Sequence, residues 1–184
     1  MGEFARIYKT DLTDRQLMEF WRNAQLAGRD RAFAYCLPPM DGPGFVRWMR
    51  RDDVHPWAIL FRGIPVGMML LTDRRGKTAE VHFCTLPVGT ARYAKGLSLV
   101  RAMGLFALAS ALWEPNVSGG HVLDTLIGVT PATNTAAVKY AVSLGGEAVA
   151  RVPGACWFHD TNENADGVFT IFNRNSVPRQ FAAL

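Results

Sequence analysis

Three side chains able to move protons or act as nucleophiles recur at every second position of one short segment: Glu80, His82 and Cys84, within residues 78–86. The two-residue period of a strand would set all three on one face and Val81, Phe83 and Thr85 on the other. A carboxylate in partly apolar surroundings holds a raised pKa, and an imidazole can accept a proton directly or relay it through water. Cys84 adds a thiol, but no nearby cationic pattern argues for its thiolate, so burial is its expected fate. Each residue also has an ordinary alternative, a solvated glutamate at a strand end and a hydrogen-bonded core histidine.

A second group with chemical potential follows at once. After a break at Pro87, Val88 and Gly89, residues 92–98 carry Arg92, Lys95 and Gly96 and open a helix that runs apolar through Trp113. Amides at a helix start lack internal partners and, with the helix dipole, suit a phosphate. Gly96 would equally allow close approach of helix and sheet.

Positioning these groups requires a sheet and two helices. Residues 5–9 read as a first strand, and Thr13 with Gln16 forms the capping box of a helix ending near Gly28. Residues 45–51 suggest another short helix. Residues 56–61 and 66–71 form a hairpin through the turn at 62–65, and residues 78–86 come next in the sheet. Residues 123–129 predict a strand stopped by Pro131, and residues 134–144 a helix that Gly145 and Gly146 end. Residues 148–152 and 168–172 make a last strand pair around a polar turn at 160–167. Phe20, Trp21, Phe33, Tyr35 and Trp48 read as core, and Asp52 and Asp53 as surface charges.

Composition bounds the rest. The chain has 184 residues, 49% of them hydrophobic, with no repeat or linker, so one domain spanning 1–184 is expected. The net charge of +4 favours anionic ligands, yet no basic stripe marks a nucleic-acid surface. Cys36, Cys84 and Cys156 lack metal-ligand or disulfide spacing, which points to reduced thiols, a cytoplasmic setting and no metal. The first residues lack the apolar run of a secretory signal, and residues 96–113 are interrupted by Arg101, so no membrane span is expected.

The order of elements, with Pro65-Val-Gly67 in the hairpin and Asn134-x-x-Ala137 followed by Gly145 past the helix, resembles the GNAT superfamily of N-acyltransferases over roughly residues 6–174. The resemblance implies an α/β fold with a mixed sheet, mostly antiparallel, whose central parallel pair splays apart between flanking helices. It implies transfer of an acetyl group from acetyl-CoA to an amine-bearing acceptor, with Glu80 or His82 as base and residues 29–48 building the acceptor pocket. Acetyl-CoA would lie along Cys84, Thr85 and Leu86, with its pyrophosphate on Arg92, Ala94, Lys95, Gly96, Leu97 and Ser98. Asn134, Ala137 and Tyr140 would meet its pantetheine arm, and the family leaves room for a homodimer. Two positions depart from the pattern. Tyr93 stands where the family's pyrophosphate loop has arginine or glutamine, and Ser98 where it has glycine or alanine, so the loop is degenerate. Ala141 replaces the tyrosine that can protonate the departing thiolate, with Tyr140 beside it but turned by about 100° on an ideal helix. The same features admit a non-catalytic GNAT-like module for ligand sensing or interaction, and Cys84 with His82 admits thiol chemistry.

Overall fold

A computed structural model of the chain describes residues 3–87, 93 and 96–184, apart from the Ala32 side chain. Its elements are β1 (Phe4–Tyr8), α1 (Asp14–Leu26), α2 (Asp30–Phe33), α3 (Gly42–Met49), β2 (His55–Phe61), β3 (Ile64–Arg75), β4 (Thr78–Thr85), α4 (Leu99–Leu112), β5 (Thr125–Pro131), α5 (Thr135–Ser143), β6 (Glu147–Phe158) and β7 (Glu163–Asn173). Short 3-10 turns follow β1 and close the chain at Arg179–Ala183. The seven strands form one sheet in the order β1-β2-β3-β4-β5-β7-β6. Every neighbouring pair is antiparallel except β4 with β5.

Strand alternation divides the core in two. Met69, Leu71, Ala79 and Val81 pack with α4, Leu126 and Phe172 on one face, while Met68, Leu70, Cys84 and Leu86 pack with α1 and α3 on the other. Helix α4 is apolar all round because the sheet lies beneath it and the C-terminal 3-10 turn packs over it; only Val100 and Arg101 of its residues are not buried. Among the described residues no helix is long and apolar enough to cross a membrane.

Local chemistry explains where the elements begin and end. The Thr13 hydroxyl accepts from the Gln16 amide at 3.2 Å and the Gln16 side chain accepts from the Thr13 amide at 2.9 Å, which is the expected capping box. The hairpin turn is Arg62-Gly63, and β3 runs on to Arg75, four residues beyond the stretch read from the sequence. Helix α4 starts later than residues 92–98: Ser98 is its cap, accepting from the Arg101 amide at 3.2 Å. Gly96 lies two residues before that cap with φ +77°, a conformation glycine adopts without strain. The last two strands are far longer than expected. Residues 163–167, read as turn, belong to β7, because β6 accommodates Val149 and Pro153-Gly154-Ala155 as bulges without losing its partner.

A cleft between two parting strands

β4 and β5 pair only at Thr78–Thr125, Ala79–Leu126 and Glu80–Ile127. Beyond Glu80 they diverge, β4 staying with β3 and β5 with β7, so the backbone groups facing the gap have no strand partner. The gap is a cleft of about 350 Å³ open through the sheet. Val100, Ala136, Ala137, Tyr140 and Ala141 line it from the α4–α5 side, and Arg29, Phe33 and Tyr35 from the α1–α3 side. His82, Cys84, Thr85, Gly128 and Val129 form its strand walls.

The face shared by Glu80, His82 and Cys84 turns toward α1–α3. His82, mostly buried, lines the cleft, and its Nε2 lies 3.0 Å from Thr72 Oγ1 and 3.4 Å from Glu80 Oε1. Glu80 sits behind it and does not line the cleft. Burial holds the imidazole pKa down to about 4, with the Asp73 charge pulling the other way. Burial also raises the Glu80 carboxyl, and Asp73 adds to the rise. Cys84 is 2% exposed and burial pushes its thiol up to about 12, so it is no ready nucleophile at neutral pH.

On the opposite wall, Asn134 caps α5, its side chain accepting from the Ala137 amide at 3.1 Å, and faces the cleft as well. The Tyr140 hydroxyl donates to the Val100 carbonyl at 2.8 Å, and burial raises its pKa. Arg101 Nε donates to the Ser143 carbonyl at 3.0 Å, a second tie between α4 and α5. Thr85, Asn134, Ala137 and Tyr140 thus share one cavity with His82 and Cys84. Leu86 packs into the core beneath α1 and α3, and Gly96, Leu97 and Ser98 lead into α4 outside the cavity lining. Arg92, Ala94 and Lys95 lie outside the described residues.

Sequence reasoning passed over Arg29 and took Phe33 and Tyr35 only as core. Both aromatics are buried and also line the cleft, and the Tyr35 hydroxyl donates to the Val129 carbonyl at 3.3 Å. Placement of residues 29–48 in the acceptor pocket was the available signal, but α2 has only four residues and no pattern of its own. Among the described residues no group of three or more histidine, cysteine or acidic side chains is arranged to hold a metal.

No protein-family model matches the sequence, and no curated protein is similar to it in sequence. Solved structures are similar in fold. A spermidine N-acetyltransferase from Vibrio cholerae, in complex with CoA and spermine, superimposes with a TM-score of 0.67 at 11% identity over 95% of this chain and 98% of that one. The aminoglycoside acetyltransferase AAC(6')-Ib, in complex with coenzyme A and kanamycin, gives 0.64 at 12% identity over 96% and 98%. The protein yncA of Salmonella typhimurium, with its cofactor acetyl-CoA, gives 0.62 at 14% identity over 94% of each chain. With its mixed seven-stranded sheet, one parallel pair that parts and helices on both faces, the chain has the fold of the GNAT acetyltransferases.

Proposed function

We propose that the protein is an acyl-CoA-dependent N-acyltransferase that moves an acetyl group from acetyl-CoA to an amine. The observation that carries this reading is the cleft: it passes through the sheet where β4 leaves β5, so a donor on the α4–α5 side and an acceptor on the α1–α3 side can meet within it. The neighbours in fold that bind CoA or acetyl-CoA support the choice of donor.

In this reading the pantetheine arm runs between Thr85 and the first turn of α5 at Asn134 and Ala137, with the pyrophosphate toward Gly96, Leu97 and Ser98. The acceptor nitrogen attacks the thioester carbon, and amides on the open edge of β4 meet the charge that develops on the carbonyl oxygen. Collapse re-forms the carbonyl and breaks the carbon–sulfur bond; the departing thiolate takes its proton from water. The proton lost by nitrogen goes to His82. With Nε2 bonded to the Thr72 hydroxyl, the Nδ1 lone pair is left to accept it, and the Glu80 carboxylate 3.4 Å from Nε2 stabilises the imidazolium formed. Thr72 therefore orients His82, and Glu80 does not itself touch the substrate.

A second reading, a non-catalytic ligand-binding module, is favoured by Ala141 and by the engagement of the adjacent tyrosine hydroxyl, that of Tyr140, with Val100. Release of CoA thiol from acetyl-CoA in the presence of an amine panel separates the two. Turnover supports the enzyme, whereas acetyl-CoA binding without turnover for any amine supports the module.

A further inference from the structure

Among the described residues, eighteen of the nineteen that line the cleft carry no formal charge at neutral pH. His82 is among them, held neutral by burial. Arg29 is the exception, and it is permanently charged. By contrast Arg31, beside the cleft, holds Asp160 at 2.7 Å. Arg29 makes no ion pair and no side-chain hydrogen bond among the described residues, and none of the residues outside that description is acidic.

The backbone beneath this guanidinium is fixed on both sides. The Arg29 amide donates to the Ala24 carbonyl at 2.8 Å, at the end of α1, and its carbonyl accepts from the Phe33 amide at 3.1 Å, in α2. The side chain therefore leaves from a set point on the α1–α3 wall, together with Phe33 and Tyr35, across from the helices α4 and α5 assigned to the donor. It stands near Cys84, on the face of β4 that also carries His82. A guanidinium is a planar fork matched to a carboxylate, and Arg29 is exposed, so a carboxylate entering the cleft can reach it even with Asp30 as its chain neighbour.

We infer that Arg29 recognises a carboxylate on the acceptor, so that the amine substrate is of the amino-acid class. This rests on the acyltransferase reading for the identity of the second substrate, and on the placement of Arg29 alone for the carboxylate. The amine would then lie toward His82 while the carboxylate lies on Arg29.

The test has a binding arm and a turnover arm. In the first, thermal shifts are measured with N-acetyl-lysine and N-acetyl-phenylalanine against their carboxamides, and separately with CoA, for wild type, Arg29→Gln and Arg29→Lys. In the second, lysine is compared with cadaverine, and phenylalanine with phenethylamine, as acceptors. The carboxylates should stabilise wild type and the carboxamides should not; Arg29→Gln should weaken carboxylate binding by about 10-fold or more, as expected for loss of a charge-assisted pair, with Arg29→Lys recovering part of it. The CoA shift should persist in both variants. With turnover, amino acids should exceed their decarboxylated counterparts in kcat/KM by about 10-fold or more in wild type, a preference lost in Arg29→Gln. Equal binding of carboxylates and carboxamides by wild type overturns the inference. So does a loss of the CoA shift in Arg29→Gln, which would assign the guanidinium to the donor's phosphates. A wild type that binds the carboxylates but shows no CoA shift sinks the acyltransferase reading while leaving the carboxylate site standing.

Discussion

Burial drives Glu80 and His82 in opposite directions on the pH scale, raising the carboxyl and lowering the imidazole. The histidine contributes a pH dependence whose sign follows from its depressed value. Between about pH 4 and its ordinary value of 6.5 the unfolded chain takes up a proton that the folded protein refuses. Stability from this site is therefore complete above pH 6.5 and falls as the pH drops toward 4, by up to about 3 kcal/mol. Glu80 works the other way: its carboxyl is raised, so its contribution is present below its ordinary value of 4.5 and is lost as the pH climbs through the folded value. Urea unfolding of His82→Gln should show a flatter acid limb than wild type between pH 4 and 6.5; an unchanged slope would mean the imidazole titrates normally. The same substitution should lower kcat by ~10²-fold or more while leaving acetyl-CoA affinity unchanged, the loss typical of a missing general base. If Glu80→Gln and His82→Gln both keep the wild-type rate and pH profile, solvent takes the proton. The face on which these groups lie was legible in the sequence because strand alternation is a local rule. That His82 and not Glu80 reaches the cleft was not, since it depends on where β5 departs.

The α4–α5 pair forms one wall of the cleft, and its spacing is set by a small residue. A β-carbon at Gly104 would collide with the Tyr140 hydroxyl and lie 2.7 Å from a Leu144 methyl group. Gly104→Ala should therefore destabilise the fold by about 1–3 kcal/mol, as overpacking does, and a neutral result in thermal unfolding would show that α5 can shift freely. Tyr140→Phe removes the bond to Val100 and should cost about 1 kcal/mol, yet turnover should stay within a few fold. A loss of ~10²-fold with CoA affinity intact would instead make Tyr140 the acid that protonates the thiolate. At this scale the sequence was informative wherever a rule acts over three or four residues: the box of Thr13 and Gln16, the turn at Arg62-Gly63, the Asn134 cap. It misled where tertiary pairing overrides local pattern. Bulges at Val149 and at Pro153-Gly154-Ala155 break the alternation of β6, which hid both its length and the true start of β7. α2 is a single turn held against β4 and left no periodicity to read.

For the molecule as a whole, one topological fact organises the rest: of the six strand pairings among the described residues only β4–β5 is parallel, and that pair gives way after three residues. The element order carried this arrangement, which is why the fold could be anticipated. The convergence of Arg29, Phe33 and Tyr35 on the cleft could not, because it depends on the return of the chain after α1 and on contacts made with strands fifty to a hundred residues away. The central claim is that the opening between the strands receives acetyl-CoA, and it is tested most directly by isothermal titration of acetyl-CoA into wild type and into Ala137→Trp. The substitution places a large ring on the first turn of α5, where the side chain faces the cleft without entering the buried core. The account predicts saturable binding of one equivalent by wild type and none by Ala137→Trp, with unchanged thermal unfolding of the ligand-free proteins. Equal affinity in the two would place the cofactor elsewhere and contradict the account, as would an absence of binding by wild type.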